Sequence, residues 1–134
     1  MTRRRLSLAL GCLPLLLLPF ICCAPDYVPK PTDARQAVET ALSTWKSGAK
    51  HETITSSKVK IDVTDSRWRD GKQLESYMIT EEIKGQTLPQ FTVRLKLVGK
   101  PEETATYLVV GIDPLQVFRE VEYKEAMGVP TKGR

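Results

Sequence analysis

The sequence predicts an α+β domain in which one N-terminal amphipathic helix packs on a bent antiparallel sheet of four to five strands. Apolar residues first recur at helical spacing, in the segment that ends at Gly48. From Lys58 onward they alternate with polar residues, which is the period of a strand with one buried face. Glycine and proline turn signals divide this second part into short segments. About 100 residues are available for the domain, which is enough for one hydrophobic core.

The helix is predicted over the segment TDARQAVETALSTWKSG, residues 32–48. Its cap is Thr32 or Asp33, and Asp33 with the glutamine three residues on resembles a capping box. Gly48 follows in the position of a left-handed C-terminal glycine. The large ring of Trp45 is expected to anchor the apolar stripe in the core. The stripe consists of Ala34, Ala37, Val38, Ala41, Leu42 and Trp45.

Four segments of extended sequence follow the helix. In the first, Val59, Ile61 and Val63 alternate with polar residues, which predicts one buried and one solvated face. Asp70 and Gly71 form a hairpin-type turn signal before the second. The fourth is apolar on both faces at its end, so we place it in the centre of the sheet. The four segments are residues 58–64, 73–83, 91–98 and 104–112.

The end of the domain permits two interpretations. Asp113–Pro114 could open a helix, with proline at the first helical position. Alternation after the proline favours a strand instead. We therefore predict a strand over residues 115–119 and a short helical turn near 122–127. The whole domain is placed at residues 33–127, followed by a flexible tail over 128–134.

The residues before the domain have the pattern of a secretory signal. Three arginines at positions 3–5 precede an uncharged apolar run over residues 6–24. Because such arginines stay on the cytoplasmic side, the rest of the chain is expected outside the cytoplasm. Residues 1–24 are therefore predicted to be a signal peptide or membrane anchor, and residues 25–32 a proline-rich linker of roughly 25 Å.

Three fates of this leader remain open. Cleavage after Ala24 would leave Pro25 beside the cut, where its fixed backbone fits an extended protease substrate poorly. The sequence FICC, residues 20–23, resembles a degenerate lipoprotein box, which favours lipidation of Cys22 or Cys23. An uncleaved anchor is the next alternative, because nineteen helical residues reach about 28 Å and can span a hydrocarbon core.

The composition of the domain limits its chemistry. Without the three leader arginines, the chain has 17 basic and 16 acidic side chains, a net charge of about +1. The overall net charge of +4 therefore gives no argument for a nucleic-acid partner. All three cysteines lie in the leader, which excludes a disulfide and a cysteine metal site from the domain. His51 is the single histidine, so a histidine-rich metal site is excluded as well. We expect no metal and no cofactor.

The order of elements, one helix and then four or five strands over residues 32–123, resembles the cystatin-like and NTF2-like folds. The phrases ALSTWKSG, SRWRDGKQLESY and YLVVGIDPLQVFRE also look like parts of uncharacterised exported bacterial proteins. This resemblance implies a helix wrapped by a bent sheet and an exported location, and it carries no known activity. Because such a fold hosts many functions, function depends on the site.

Enzymes of the NTF2-like group use a cavity in which an acid or histidine moves protons, often helped by tyrosines. The residues that could act in this way are Asp62, Tyr77, Glu82, Tyr107 and His51. Asp62 alternates away from its apolar neighbours, and His51 lies in a polar segment, so no residue is assigned as catalytic. The glutamine-x-valine-x-glycine hairpin of true cystatins matches residues 107–111 only at its valine and glycine, which favours an ordinary strand.

The densest basic and aromatic group is the better candidate for binding. Arginine and lysine there could hold phosphate or carboxylate groups, and tryptophan could stack on a ligand. The alternative is a purely structural role, with the tryptophan in the core and the charges in water. The group comprises Arg67, Trp68, Arg69 and Lys72, and Tyr77 and Tyr107 complete the candidate binding residues. The paired glutamates at 81–82 and 102–103 lack the aspartate-rich loop of a calcium site.

These patterns together indicate a non-catalytic exported protein of the cell envelope, a binding or assembly module. Its expected partners are the membrane, through the N-terminal anchor, and another envelope protein, whereas the oligomeric state stays open. The alternative is a small-molecule-binding protein or NTF2-like enzyme with a cavity between helix and sheet.

Overall fold

The computed structural model of the chain describes residues 27–130. The predicted signal or anchor, the lipidation at Cys22 or Cys23 and the last four residues of the predicted tail lie outside this range. Within it, no helix combines the length and the apolar character that crossing a membrane requires.

The described residues form three helices and one five-stranded sheet, which confirms the α+β class. The strand order across the sheet is β1-β5-β4-β3-β2. The fourth strand is therefore central, as its two-sided apolar sequence predicts. The elements are α1 (Pro31–Lys46), β1 (Ile61–Thr64), α2 (Ser66–Arg69), β2 (Leu74–Ile83), β3 (Gln90–Leu97), β4 (Glu103–Val110), β5 (Leu115–Arg119) and α3 (Glu120–Ala126).

The sheet is mixed, so the prediction of a purely antiparallel sheet is wrong. β1 runs parallel to β5, with Ile61 opposite Leu115 and Val63 opposite Val117, whereas the other neighbours are antiparallel. The reason is the connection that follows β1. Instead of the predicted hairpin, the short helix α2 carries the chain from one edge of the sheet to the other. β1 and β2 therefore lie at opposite edges and run in opposite directions, and β1 is placed beside β5, which runs the same way as β1.

Helix α1 lies where its periodicity predicts, and all six residues of its apolar stripe are buried. Its start differs from the prediction. Neither Thr32 nor Asp33 caps it, because the helix begins at Pro31 after Lys30, and no side chain caps the first turn. Proline suits this first position, since its missing N–H has no helical partner there and its backbone angle is already helical. Residues 31 and 32 thus belong to the helix and not to the linker.

The core lies between the stripe of α1 and the inner face of the sheet. Trp45 of α1 belongs to one buried cluster with Phe91 and Leu95 of β3 and Val109 of β4. The buried stripe of α1 and the inner-face residues of the strands together form this one core. Clefts lie at both ends of α1 and along its side.

Candidate functional site

Two stacked tryptophans join α1 to α2. The rings of Trp45 and Trp68 have centroids 6.0 Å apart and an interplanar angle of 17°. Trp45 Nε1 donates to the carbonyl oxygen of Lys72 at 2.7 Å, in the turn after α2. Trp68 Nε1 donates to the carbonyl oxygen of Ala49 at 2.9 Å, in the turn after α1. Each helix is therefore bonded to the turn that follows the other, and the two turns lie side by side.

The two turns owe their shape to glycine. Gly48 has a φ of +87° and Gly71 a φ of +84°, and both angles lie in the left-handed region that side chains disfavour. Each glycine ends its helix and reverses the chain. The residues that follow, 49–51 and 72–73, are brought to face one another.

Between these turns lies a surface cleft of about 370 Å³, which we call the basic cleft. Three of its lining residues are cationic, namely Lys50, Arg69 and Lys72, and none of its lining residues is acidic; His51 lines it as well. Lys50 and Lys72 are exposed, and the side chain of Arg69 is 63% exposed, 4.0 Å from the neighbouring Asp70. Such a group of like charges creates a positive local potential that favours anions.

His51 forms one wall of the basic cleft and is held in place. Its Nε2 atom lies 2.6 Å from the carbonyl oxygen of Val63 in β1, so Nε2 carries a hydrogen and donates it. Its ring meets the Trp68 ring edge-on, with centroids 5.2 Å apart. The histidine is therefore packed on the domain, where the sequence indicated a solvated loop.

Arg67 turns away from the basic cleft and into the protein. Its Nε and one terminal nitrogen each lie 3.3 Å from an oxygen of Asp65, and its other terminal nitrogen contacts the carboxylate of Glu103. Its guanidinium carbon also lies 5.9 Å from the ring centroid of Trp45. Protein acceptors thus occupy all three guanidinium nitrogens. Arg67, a candidate binding residue, therefore has a structural role in this network.

Asp65 and Tyr107 are the most buried members of the same network, at 2% and 1% exposure. The Tyr107 hydroxyl donates to Asp65 Oδ2 at 2.6 Å. Burial acts to raise the pKa of Asp65, but the hydrogen bonds and charge of Arg67, aided by Tyr107, outweigh it and hold that pKa below the usual value. Burial and the Asp65 charge together raise the pKa of Tyr107 well above its usual value. The carboxylate is ionised and the phenol protonated at neutral pH.

The same aspartate begins α2, and a glutamate of α3 completes the capping. Asp65 Oδ1 accepts from the backbone N–H of Arg67 at 3.0 Å, which makes Asp65 the N-cap. Glu122, 9% exposed, accepts from the backbone N–H of Ser66 at 2.6 Å and lies 3.4 Å from a terminal nitrogen of Arg119. Sequence reasoning missed this arrangement. Aspartate directly before the α2 sequence was the available signal, because it is a favoured N-cap residue.

Tyr77 lies apart from the other candidate residues, on β2 beside α1. Its hydroxyl donates to Glu39 Oε1 at 2.6 Å. Partial burial, and then the neighbouring Glu39 carboxylate, raise the pKa of Tyr77 to about 12. The six candidates therefore divide into three places: Trp68, Arg69 and Lys72 at the basic cleft, Arg67 and Tyr107 in the buried network, and Tyr77 at the side of α1.

The residues considered for proton transfer do not converge in a cavity. Asp62 accepts from Thr53 Oγ1 at 2.6 Å, and Glu82 lies 3.1 Å from Lys84 near the end of β2. None of the three described clefts is lined by either carboxylate or by Tyr107. Among residues 27–130, no three histidine, aspartate or glutamate side chains come together as metal ligands.

A second cleft, of about 400 Å³, opens at the other end of α1, and we call it the apolar cleft. It lies between the first half of α1, the start of β1 and the residues before β5, so it separates the helix from the edge of the sheet. Helix α1, with sixteen residues at 1.5 Å each, is about 24 Å long; the apolar cleft extends along it as far as Thr40, and the basic cleft lies at its last turn.

The described residues thus define an α+β domain with a basic cleft and an apolar cleft at opposite ends of one helix. Comparison of the chain with protein-family models, with curated proteins and with solved structures gave no match. The chemistry of the two clefts is the basis on which a function can be proposed.

Proposed function

We propose that the chain is a non-catalytic binding module of the cell envelope, anchored through its N-terminus, which binds an acidic segment of another envelope protein in the basic cleft. The observation that carries this proposal is the convergence of Lys50, His51, Arg69 and Lys72 on one cleft that no carboxylate lines. The envelope location is supported by the arginines at 3–5 and the apolar run at 6–24, which are typical of an exported protein.

Such a partner would bind mainly through electrostatic attraction. Trp68 is only 4% exposed, and its indole N–H is already bonded to Ala49, so it has little surface on which a ligand could stack. The flexible ammonium groups of Lys50 and Lys72 are strongly hydrated point charges that suit carboxylates on a mobile segment. Exposed charges attract weakly and are screened by salt, which gives a partner that binds reversibly.

The non-catalytic character is supported by the positions of the groups whose pKa values are perturbed. Catalytic acids and bases commonly combine a shifted pKa with a position in a cleft. Tyr77 lines the cleft at the side of α1, but its hydroxyl is bonded to Glu39 and its pKa of about 12 keeps it protonated at neutral pH. Asp65 and Tyr107 also have shifted pKa values, but both are buried and bonded to one another. Their role in this proposal is to hold α2, and with it the basic cleft, in place.

The experiment uses the full chain in a neutral detergent and a fluorescent peptide of glutamate and aspartate residues. The variant combines Lys50→Gln, Arg69→Gln and Lys72→Gln. Fluorescence anisotropy should give about tenfold weaker binding, as three exposed ion pairs of roughly 0.5 kcal/mol each would. Added salt should weaken binding to the unaltered chain and much less to the variant.

A matched control removes the same charge elsewhere, through Lys60→Gln, Lys84→Gln and Lys100→Gln. None of these lysines lines the basic cleft. Affinity for the peptide should change less than about twofold in this control, since distant exposed charges are screened. Equal losses in the two triple variants would mean that net charge and not the cleft attracts the peptide, and the proposal would fail.

The apolar cleft favours a second candidate, a small-molecule site between helix and sheet, because it is a cavity at that position. We also propose that the domain is related to the cystatin-like and NTF2-like folds. Support for this comes from α1, which packs on several strands of one sheet. The parallel pair of β1 and β5 is the feature that an antiparallel fold of this kind would have to accommodate.

A further inference from the structure

The floor of the apolar cleft is built from the domain core. Ala37 of α1, Ile61 of β1 and Leu115 of β5 line it, and each is less than a tenth exposed. Val59 and Ile112, from the loops before these strands, extend the apolar surface outward. A volume of about 400 Å³ lies within the roughly 300–1,000 Å³ range of small-molecule pockets. The cleft is thus large enough for a ligand with an apolar body.

The rim of the same cleft is charged, with an excess of positive groups. Lys30 and Lys58 lie on it together with one carboxylate, Asp33. None of the three makes an ion pair with another residue of the range 27–130. Asp33 lies in the first turn of α1, where the helix dipole stabilises a negative charge. The two lysines are the groups that can receive an anionic head.

The walls of the cleft are tied to the rest of the domain. The backbone N–H of Gly111 donates to the carbonyl oxygen of Tyr27 at 2.5 Å, which fixes the segment before α1 to the loop after β4. The backbone N–H of Leu115 donates to the carbonyl oxygen of Lys60 at 2.9 Å, which fixes the loop before β1. A cleft formed before binding spares the ligand the cost of ordering these loops.

We infer that the apolar cleft binds a free medium-chain fatty acid, with its tail on Ala37, Ile61 and Leu115 and its carboxylate between Lys30 and Lys58. Charge complementarity favours this occupant over the leader of the chain itself, because the leader is flanked by the arginines at 3–5 and would bring like charge to the lysines. The inference rests on a different cleft from the one that the acidic peptide tests.

The test uses membranes from cells that produce the full chain and a photoreactive, clickable dodecanoic acid. After irradiation, mass spectrometry of the digested protein should find adducts on peptides that contain residues 28–40, 57–61 or 112–115. The variant Thr40→Phe places a ring in the cleft from the half-buried Thr40 of α1. It should reduce labelling at least about tenfold, because the ring fills the space of the tail.

The matched control is Thr32→Phe, the same change at an exposed residue of α1 that does not line the cleft. It should label like the unaltered chain, and circular dichroism should show that both variants are folded. The variant Lys50→Gln, Arg69→Gln and Lys72→Gln should also label normally. Failure of the peptide experiment and failure of this one are therefore distinguishable.

The head group is tested with Lys30→Gln combined with Lys58→Gln. Labelling by the photoreactive acid should fall about fivefold, the scale of two exposed ion pairs, whereas a photoreactive dodecanol should label this variant and the unaltered chain equally. Three outcomes would overturn the inference: labelling that Thr40→Phe leaves unchanged, equal labelling of the unaltered chain by acid and alcohol, or equal labelling by a phosphatidylglycerol with the same tail. The last would assign the cleft to membrane lipid.

Discussion

The indole N–H of Trp45 donates to the carbonyl oxygen of Lys72, and the indole N–H of Trp68 donates to the carbonyl oxygen of Ala49. Each tryptophan thus bonds its own helix to the turn that follows the other helix. Their rings stack at 6.0 Å, Arg67 lies near the Trp45 ring, and His51 meets the Trp68 ring edge-on. The consequence is that a core contact also sets the geometry of the basic cleft. Stability and binding should therefore change together when either indole is altered.

The first prediction concerns Trp45. Its ring is 2% exposed, so Trp45→Ala should lower the free energy of unfolding by about 3–5 kcal/mol, from lost burial and the cavity that remains. Urea unfolding of the full chain in a neutral detergent measures this change. A variant as stable as the unaltered chain would contradict the position of the ring in the core.

The second prediction separates the indole bond from the ring. Trp68→Phe keeps an aromatic ring and removes the N–H group that donates to the carbonyl oxygen of Ala49. It should therefore lower the free energy of unfolding by about 1–2 kcal/mol, and it should also weaken the binding of the acidic peptide. Phe91→Leu is the control, because it disturbs a buried residue of β3 that lines neither cleft. The control should lose stability and keep its affinity. If both variants lose affinity equally, the indole bond does not shape the cleft.

The third prediction concerns the buried ion pair. Asp65→Asn leaves Arg67 without its buried carboxylate, and it should cost about 3–5 kcal/mol in unfolding free energy, although asparagine can still cap α2. Tyr107→Phe removes one hydrogen bond to that carboxylate and should cost about 1–3 kcal/mol. Asp62→Asn in β1 is the matched control. It should lower the free energy of unfolding by less than about 1 kcal/mol, because the hydrogen bond between Asp62 and Thr53 is exposed.

The two buried substitutions should also fail to add. Asp65 and Tyr107 share one hydrogen bond, so the double variant should be more stable than the sum of the single losses indicates. Urea unfolding of the four proteins completes the cycle. Strict additivity would show that the two groups act independently, contrary to the 2.6 Å contact.

The fourth prediction is the dependence of stability on acid. The folded-state pKa of Asp65 lies below its ordinary value of 3.8, so the unfolded chain binds a proton more readily as the pH falls. The stabilisation is complete above about pH 4 and is lost as the pH falls through the folded-state pKa. Unfolding free energies of the unaltered chain and of Asp65→Asn should therefore differ most above about pH 4 and converge below it. A difference that stays constant through the acid range would contradict the lowered pKa.

Local sequence patterns predicted the individual helices and strands better than they predicted which strands lie side by side in the sheet. The stripe of α1 and the two-sided apolar sequence of β4 determine burial by themselves, and the structure has both as predicted. Alternation in β1 determines which face is buried but not which strand lies beside it. The parallel partner β5 follows from the path of the chain through α2, which no period in the sequence records.

The candidate site shows the same limit. Arg67, Trp68 and Arg69 are adjacent in sequence, yet Arg67 points into the buried network and Arg69 lines the basic cleft. Successive residues of a helix turn by about 100°, so neighbours in a short helix need not share a surface. Lys50 and His51 join the cleft only because the Trp45 and Trp68 bonds bring two distant turns together.

The last prediction concerns Tyr77, whose pKa is raised to about 12 by partial burial and by Glu39. The folded state keeps the phenol protonated at a pH where the unfolded chain releases the proton, near its ordinary value of 10.0. The contribution of Tyr77 to stability is therefore complete below about pH 10 and is lost as the pH rises towards 12. Phenolate absorbance, taken as the difference between the unaltered chain and Tyr77→Phe, follows this titration directly. Glu39→Gln should move it to lower pH, because an amide no longer opposes the phenolate charge. An unchanged midpoint in that variant would contradict the part assigned to Glu39, and a midpoint near 10 in the unaltered chain would contradict the raised pKa itself.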